Sequence, residues 1–332
     1  MKILLQTISI CFLCLIAFGN WGNAQIVPRK ISNIEYLGNY PKNKKGNWTD
    51  NLQGISNNKD YWFFTQLTKL WKVPIGLDLR KSKILQSGKV GVTMVKMPSV
   101  LANKGYNHFG DPDNWEGFIF IPIEDEAAKL EPVIGVFKES DLKFIGYQLL
   151  KGKSRSGWCA IHPITKNLYT SHHEITAKRP IDVYQIDWSA LKRTARFKLK
   201  FKQTFPLSNL PSSWKGKIAT YLQGGDFSDD GQYLFLLNGR LNYTTNNKGI
   251  SVFKVIEQSR GQYLFSSKQK GEFKYQFSPK ILKSQEPEGL TFANLKSNKR
   301  IKFKGGQLHA ILLNKKIRGD AIYIKHYKIT YK

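Results

Sequence analysis

From residue 51 onward, short apolar runs rich in β-branched and aromatic residues alternate with stretches of Gly, Pro, Asn and Asp. Leu70–Val73, Val90–Val95, Val133–Phe137, Ile181–Tyr184, Ile250–Val255 and Ile322–Tyr327 each have the length and composition of a β-strand. No comparable stretch carries the three-and-four spacing of a long amphipathic helix, so the pattern predicts an all-β chain. Phe197-Lys198-Leu199-Lys200-Phe201-Lys202 alternates strictly. That period places one face of a strand inward, with Phe197 and Phe201 on it, and turns a row of lysines to solvent. A strand with one wet face belongs at the outside of a sheet.

A second periodicity lies above the strands. Gln53-Gly54 precedes Tyr61-Trp62-Phe63-Phe64, Gln223-Gly224-Gly225 precedes Tyr233-Leu234-Phe235-Leu236, and Glu288-Gly289 opens Leu290-Thr291-Phe292. Weaker copies stand between them, His108-Phe109-Gly110-Asp111 before Phe118-Ile119-Phe120 and Trp158-Cys159-Ala160 before Leu168-Tyr169-Thr170. Gln53, His108, Trp158, Gln223 and Glu288 are separated by 55, 50, 65 and 65 residues. Five units at that spacing predict a five-bladed β-propeller, with a six-bladed ring, a β-sandwich or a jelly roll as the competing architectures. A propeller brings the first strand of each blade to a common axis, so the five anchors would face one central site. Ile34-Glu35-Tyr36-Leu37, within the turn-rich segment 25–50, is the candidate for an N-terminal strand that completes the last blade and closes the ring around the single domain 51–332.

Two phrases resemble known propellers. Asp226-Phe227-Ser228-Asp229-Asp230-Gly231-Gln232-Tyr233 is similar to the Phe-Ser-x-Asp-Gly turn that leads into a strand in many propeller families. Glu288-Gly289-Leu290 followed by Phe292 resembles the start of the inner strand in several propeller hydrolases. That likeness, carried by Glu288 and Gly289, implies a glutamate at the mouth of the axis and in reach of a metal. It reaches an architecture and no particular family.

The beginning of the chain changes the picture next. Met1-Lys2, an apolar run from Ile3 to Phe18 and the small-residue stretch Gly22-Asn23-Ala24 have the form of a secretory leader over residues 1–24, cut near Ala24. A secreted or periplasmic location is expected. Cys11 and Cys14 leave with the leader, so Cys159 cannot form an intramolecular disulfide. It reads as a buried packing residue, and stability must come from buried area. Lys and Arg number 52 against 24 Asp and Glu, a net charge of +28, of which the leader removes only Lys2. Such a surface attracts polyanions. For an exported protein these are anionic polysaccharides or membrane surfaces; no motif for specific nucleic-acid recognition occurs, and a monomer is expected.

The candidate chemistry is polar. Glu286 and Glu288, two apart with Pro287 between them, point to one side of an extended chain. Paired carboxylates either hold a divalent cation such as Ca²⁺, with Asp111 as a further ligand to Glu288, or divide acid and base roles. Gln53, His108 and Gln223 would join Glu288 at the axis, with Trp158 as an aromatic platform and Asp111 or Asp226 just beyond. Amide, imidazole and carboxylate groups offer both donors and acceptors, which suits a glycan or similar polar ligand. No Gly-x-Ser-x-Gly elbow or His-Glu-x-x-His spacing is present, and the adjacent pair His172-His173 reads as a solvated loop. Two functions therefore stand open. One is ligand binding at the axis with association to anionic surfaces; the other is metal-assisted hydrolysis of a phosphate ester, lactone or glycoside through Glu286 and Glu288.

Overall fold

The structure is a computed structural model that describes residues 29–81, 86–211, 221–239, 249–267, 285–315 and 319–332; the expected leader lies outside them. Five separate sheets follow one another along the chain. Blade 1 is built from Leu52–Asn57, Tyr61–Gln66, Lys69–Pro74 and Thr93–Lys96. In blade 2 the inner position is shared by His108–Phe109 and Asp113–Trp115, both paired with Phe118–Glu124, and Val133–Lys138 and Phe144–Leu149 follow outward. Blade 3 comprises Cys159–Ile161, Leu168–Thr170, Ile181–Ile186 and Leu199–Phe205. Blade 4 comprises Leu222–Phe227, Tyr233–Asn238, Gly249–Ile256 and Arg260–Ser266, with Leu207–Ser208 added at its outer edge. Blade 5 takes Gln285–Phe292, Leu308–Asn314 and Ala321–Tyr331 from the C-terminal part and Ile31–Asn39 from the N-terminal part. The chain is therefore a five-bladed β-propeller, and the expected closing strand around Ile34–Leu37 lies within Ile31–Asn39, in antiparallel register from Ile31↔Tyr331 to Asn39↔Lys325.

Burial explains why the middle strands read as unbroken apolar runs. Each is sandwiched between two neighbouring blades, and its alternating side chains go to different interfaces. Trp62 and Phe64 face blade 5, where they pack near Ile311, Leu313, Ile322 and Ile324, while Phe63 faces blade 2 beside Phe109 and Ile121. Tyr233, Phe235 and Leu237 join the interface with blade 5, and Leu234 and Leu236 the interface with blade 3. Phe118 and Phe120 complete the contact of blade 2 with blade 3. The five apolar clusters are thus the five blade-to-blade interfaces, and the one joining blades 5 and 1 closes the circle.

The axis is held by a carboxylate. Asp111, buried in blade 2, accepts the Ile55 amide of blade 1 on Oδ1 at 2.9 Å. On Oδ2 it accepts the amides of Leu290 in blade 5 at 3.1 Å and Gly225 in blade 4 at 3.3 Å. Its own amide donates to the Gly157 carbonyl at the start of blade 3, and its carbonyl receives the Cys159 amide. All five blades meet on this one residue. Burial pushes the Asp111 pKa up, and the three amides oppose that by favouring the ionised form, the only one whose oxygens all accept.

The repeated glycines follow from that meeting. A Cβ on Gly289 would stand 2.1 Å from Asp111 Oδ1 and 2.5 Å from the Gly54 Cα, and one on Gly224 would stand 2.9 Å from Asp111 Oδ2. No side chain fits there, so the Gln-Gly and Glu-Gly phrases mark backbone convergence. The Asp-Gly turn also forms as expected: the Gly231 amide donates to the Ser228 carbonyl at 2.8 Å, with Gly231 at φ +68°. Two expected elements differ. Thr93–Lys96 is the strand in the region of Val90–Val95. Phe201 pairs with Tyr184 and keeps the face of Leu199, but on the outermost strand of blade 3 that face is uncovered, and Phe201 comes out 53% exposed instead of buried. No helix among the described residues is long and apolar enough to cross a membrane.

Replacing Gly289 by Ala is expected to destabilise the fold by about 3 kcal/mol or more, because the obstruction is the anchored Asp111 carboxylate together with the Gly54 and Ile55 backbone, which cannot yield. Asp111→Asn, which turns an NH₂ group toward amide donors, should cost about 2 kcal/mol or more. Gly146→Ala, on an outer strand with open space around it, should stay within about 0.5 kcal/mol of the parent. Denaturant unfolding of the three variants checks this; equal stability of Gly289→Ala and Gly146→Ala would contradict a closed axis.

Candidate axial site

The inner strands start at one end of the axis and finish at the other, with Asp111 sealing the space between. At the starting end, His108 of blade 2, Gln223 of blade 4 and Glu286 of blade 5 converge on one cavity of about 420 Å³. Blade 3 and the segment leading into it complete the wall with Ser154, Arg155, His172, His173, Glu174 and Arg179.

His108 is positioned by its pairing with Glu124 across the inner pair of blade 2. Its Nε2 lies 2.8 Å from Gln53 Oε1, while Gln53 Nε2 faces the Asn51 carbonyl. The amide oxygen can only accept, so Nε2 carries the proton and Nδ1, which has no partner, presents a lone pair. Burial holds the His108 pKa below its ordinary value, although Glu124 opposes this. The imidazole is thus held toward its neutral form, with a buried Nδ1 lone pair.

Glu124 anchors the wall. Its Oε2 accepts the Ser156 amide at 2.9 Å, and its Oε1 faces His173 Nε2 at 3.1 Å and Arg155 Nη1 at 3.4 Å. Burial would raise the carboxyl, but His173 and the Ser156 amide outweigh it and hold Glu124 down at about 2. This carboxylate fixes one cationic group, Arg155, and one imidazole, His173, at the cavity edge.

Glu288 lies deeper, only 2% exposed, and its Oε2 has no hydrogen-bond partner. Burial pushes its pKa far up; the charges of Glu286 and Asp111 push the same way and Lys315 opposes. Burial and the neighbouring acids Glu286 and Asp111 therefore disfavour its charged form.

The sequence-derived site is partly assembled. Gln53, His108, Gln223, Glu286 and Glu288 all belong to the starting ends of inner strands, as the repeat predicts. Trp158 does not join them. It is fully buried in the interface of blades 3 and 4, its Nε1 donating to Ser171 Oγ at 2.9 Å and its ring lying against Gly225, so it is a wedge and no platform. Asp111 has both oxygens engaged by backbone amides of other blades, so it ties the axis together instead of joining Glu288 on a cation. Asp226 belongs to the opposite end. There it accepts the Phe292 amide at 2.6 Å and the Phe227 amide at 2.7 Å, while Asp113 accepts the Ile161 amide at 2.5 Å. Both are further ties between blades, beside a cavity of about 700 Å³. Burial pushes Asp113 up to about 7 and Asp226 higher than its ordinary range. Among the described residues, no group of three or more His, Cys, Asp or Glu is placed to hold a metal ion.

Sequence reasoning missed Glu124, Arg155, His173 and Arg179. His173 was expected in a solvated loop, yet it meets Glu124 in the wall. Nothing in local pattern announces these residues, because they come from blade connections and the second strand of blade 2.

No known family model matches the sequence, and no curated protein matches it significantly. Among solved structures the chain is similar to a luciferin-regenerating enzyme, at 12% identity over 89% of this chain and 95% of that one, with a TM-score of 0.46. It is also similar to an auxiliary nutrient binding protein from Bacteroides ovatus, at 10% identity over 89% of this chain and 65% of that one, TM-score 0.41. A tail fiber of Staphylococcus aureus phage P68 matches at 16% identity over 89% and 52%, TM-score 0.44. At such identities no function is carried over.

The depressed Glu124 carboxyl makes a pH prediction. A folded value of about 2 against an ordinary 4.5 means that its stabilisation, about 3 kcal/mol, is present above pH 4.5 and lost as pH falls toward 2. Glu124→Gln should therefore lie about 3 kcal/mol below the parent at pH 7, and the gap should narrow at pH 3. Denaturant titrations at the two pH values check it; a gap independent of pH would contradict the assignment.

Proposed function

We propose that the protein is an exported β-propeller that binds a small polar ligand, a glycan or similar polyhydroxylated molecule, at the starting mouth of its axis, and that its basic exterior associates with anionic surfaces. The observation that carries this reading is the convergence of His108, Gln223 and Glu286 from three blades on one cavity with Arg155 and Arg179. Its volume of about 420 Å³ lies in the range of small-molecule sites. Carboxylate and imidazole acceptors, guanidinium donors and a carboxamide that does both match hydroxyl groups, which need both partners. Export rests on the leader-like pattern of residues 1–24 and the surface role on the net charge of +28.

A second reading, metal-assisted hydrolysis of a phosphate ester, lactone or glycoside, is favoured by one feature. Glu288 keeps a buried carboxyl oxygen without a partner beside Glu286. A divalent cation such as Ca²⁺ would find its carboxylate oxygens there and would act as a Lewis acid. Binding of a hard cation requires the ionised form, which burial disfavours at Glu288, so the ligand-binding reading stands first.

Residues 25–332, tested against a panel of neutral oligosaccharides by calorimetry, should bind at least one saturably. Gln223→Ala and Arg179→Ala should each weaken it about tenfold, the equivalent of one good polar contact. Calcium-dependent turnover of a chromogenic ester, phosphate or glycoside that is lost in Glu288→Gln, with no saccharide binding, would overturn this order.

A further inference from the structure

The outer rims of blades 2 and 3 carry a feature that the axial site leaves unused. Phe144–Leu149 and Leu199–Phe205 are the outermost strands of the two blades. Between them lies a groove of about 940 Å³ whose walls include Tyr147, Leu149, Tyr184, Lys151, Lys200 and Phe201. A second groove of about 560 Å³ lies beside Trp188 and Lys198 and shares Leu199 and Lys200 with the first. The two form one elongated trough over the edge of blade 3.

Apolar surface is left open there. Phe201 is 53% and Leu149 46% exposed, among the most exposed large apolar side chains described. Phe201 is not loose: it stands edge-on to Tyr184 with ring centroids 5.9 Å apart. Tyr147 carries Lys104, whose Nζ donates to the Tyr147 hydroxyl at 2.7 Å and lies 5.3 Å from the ring centroid. Phe201 is thus the fixed and open ring of the trough.

The charge balance is one-sided. Of the two acids in the trough, Asp182 is engaged by the buried Lys153 at 2.6 Å. Asp187 caps the helix Trp188–Thr194 by accepting the Ala190 amide at 2.9 Å. Nearby Glu116 is taken up by Lys166 and Lys192. Lys151, Lys198 and Lys200 are left to set the sign of the trough, with Gln148, Gln185 and Ser189 as neutral polar groups.

We propose that this trough binds a linear acidic polysaccharide, with Lys151, Lys198 and Lys200 on its carboxylate or sulfate groups and Phe201 and Trp188 against its sugar faces. An elongated concave surface fits a single chain, whereas a bilayer demands a convex or flat one. The amphipathic face of a sugar ring matches an aromatic ring that is fixed but half exposed. The proposal deepens the reading that the basic exterior meets polyanions and rests on it. The competing account is that the lysines merely protect the sheet edge of blade 3 from pairing with other chains.

The test uses the leaderless chain, residues 25–332, with polygalacturonate, heparin, neutral dextran, phosphatidylglycerol vesicles and oligo-dT as probes. Lys198→Glu/Lys200→Glu should weaken polygalacturonate or heparin binding at least about tenfold in 0.15 M salt and lower the slope of log affinity against log salt by about 2. Phe201→Ala should weaken it about fivefold without changing that slope. Lys296→Glu/Lys299→Glu, the same charge change on a loop of blade 5, should stay within about twofold at low net effect. Equal losses in the two lysine pairs would overturn the trough and leave only a diffuse basic exterior. Tighter, trough-dependent binding of vesicles or oligo-dT than of either polysaccharide would overturn the ligand class. Failure of the parent chain to bind any polyanion would remove the underlying reading as well. If Phe201→Ala does not fold, the exposed lysine pair alone decides.

Discussion

One buried carboxylate lets five sheets share an axis. The inner strand of each propeller blade has an edge that faces no sixth strand, and its amides would be left without acceptors where the blades come closest. Asp111 meets that need for blades 1, 4 and 5 with its side chain and for blade 3 with its backbone. Asp113 and Asp226 repeat the device toward Ile161 and Phe292. Removal of that buried acceptor would leave several donors unpaired at once, and a side chain on Gly289 would collide with the acceptor itself and with the Gly54 backbone.

Closing the axis also makes the site. Because Asp111 fills the middle, the two ends of the inner strands become separate cavities instead of one channel. The far end consists largely of carboxylates already engaged in tying blades together. The starting end gathers polar groups around its cavity: the imidazole of His108, the amide of Gln223, the carboxylate of Glu286 and the guanidinium groups of Arg155 and Arg179. The five apolar interfaces hold these residues in place, since each middle strand is clamped on both faces and cannot shift register without moving its aromatic side chains to the wrong blade. The site is polar where it meets solvent and rigid beneath.

Much of this was legible in the sequence because it is periodic. The spacing from Gln53 to Glu288 carries the blade count, and the aromatic runs after each anchor are the middle strands that two interfaces bury. The closing strand was readable from Ile34–Leu37 because the ring needs its free edge covered. The same phrases were harder to interpret as chemistry. Their glycines mark the repeat in the sequence, and only the structure shows them to be the places where backbone meets Asp111. Trp158 shares the anchor spacing and not the anchor environment, since period fixes the strand a residue belongs to and says nothing of the face it takes. Phe201 was misplaced for a related reason: alternation gives it the face of Leu199, opposite Tyr184, but on the outermost strand of blade 3 that face is left uncovered. Glu124, Arg155 and His173 were invisible, being brought together only by tertiary contact.

The closed axis is tested most directly by native-state hydrogen exchange at three amides in three different blades, those of Ile55, Gly225 and Leu290. If Asp111 joins the blades as described, all three exchange only through global unfolding, with one common protection free energy that falls in step as denaturant is added. If any one of them exchanges by local opening while the middle strands Tyr61–Gln66, Tyr233–Asn238 and Leu308–Asn314 stay protected, Asp111 does not hold the ring together.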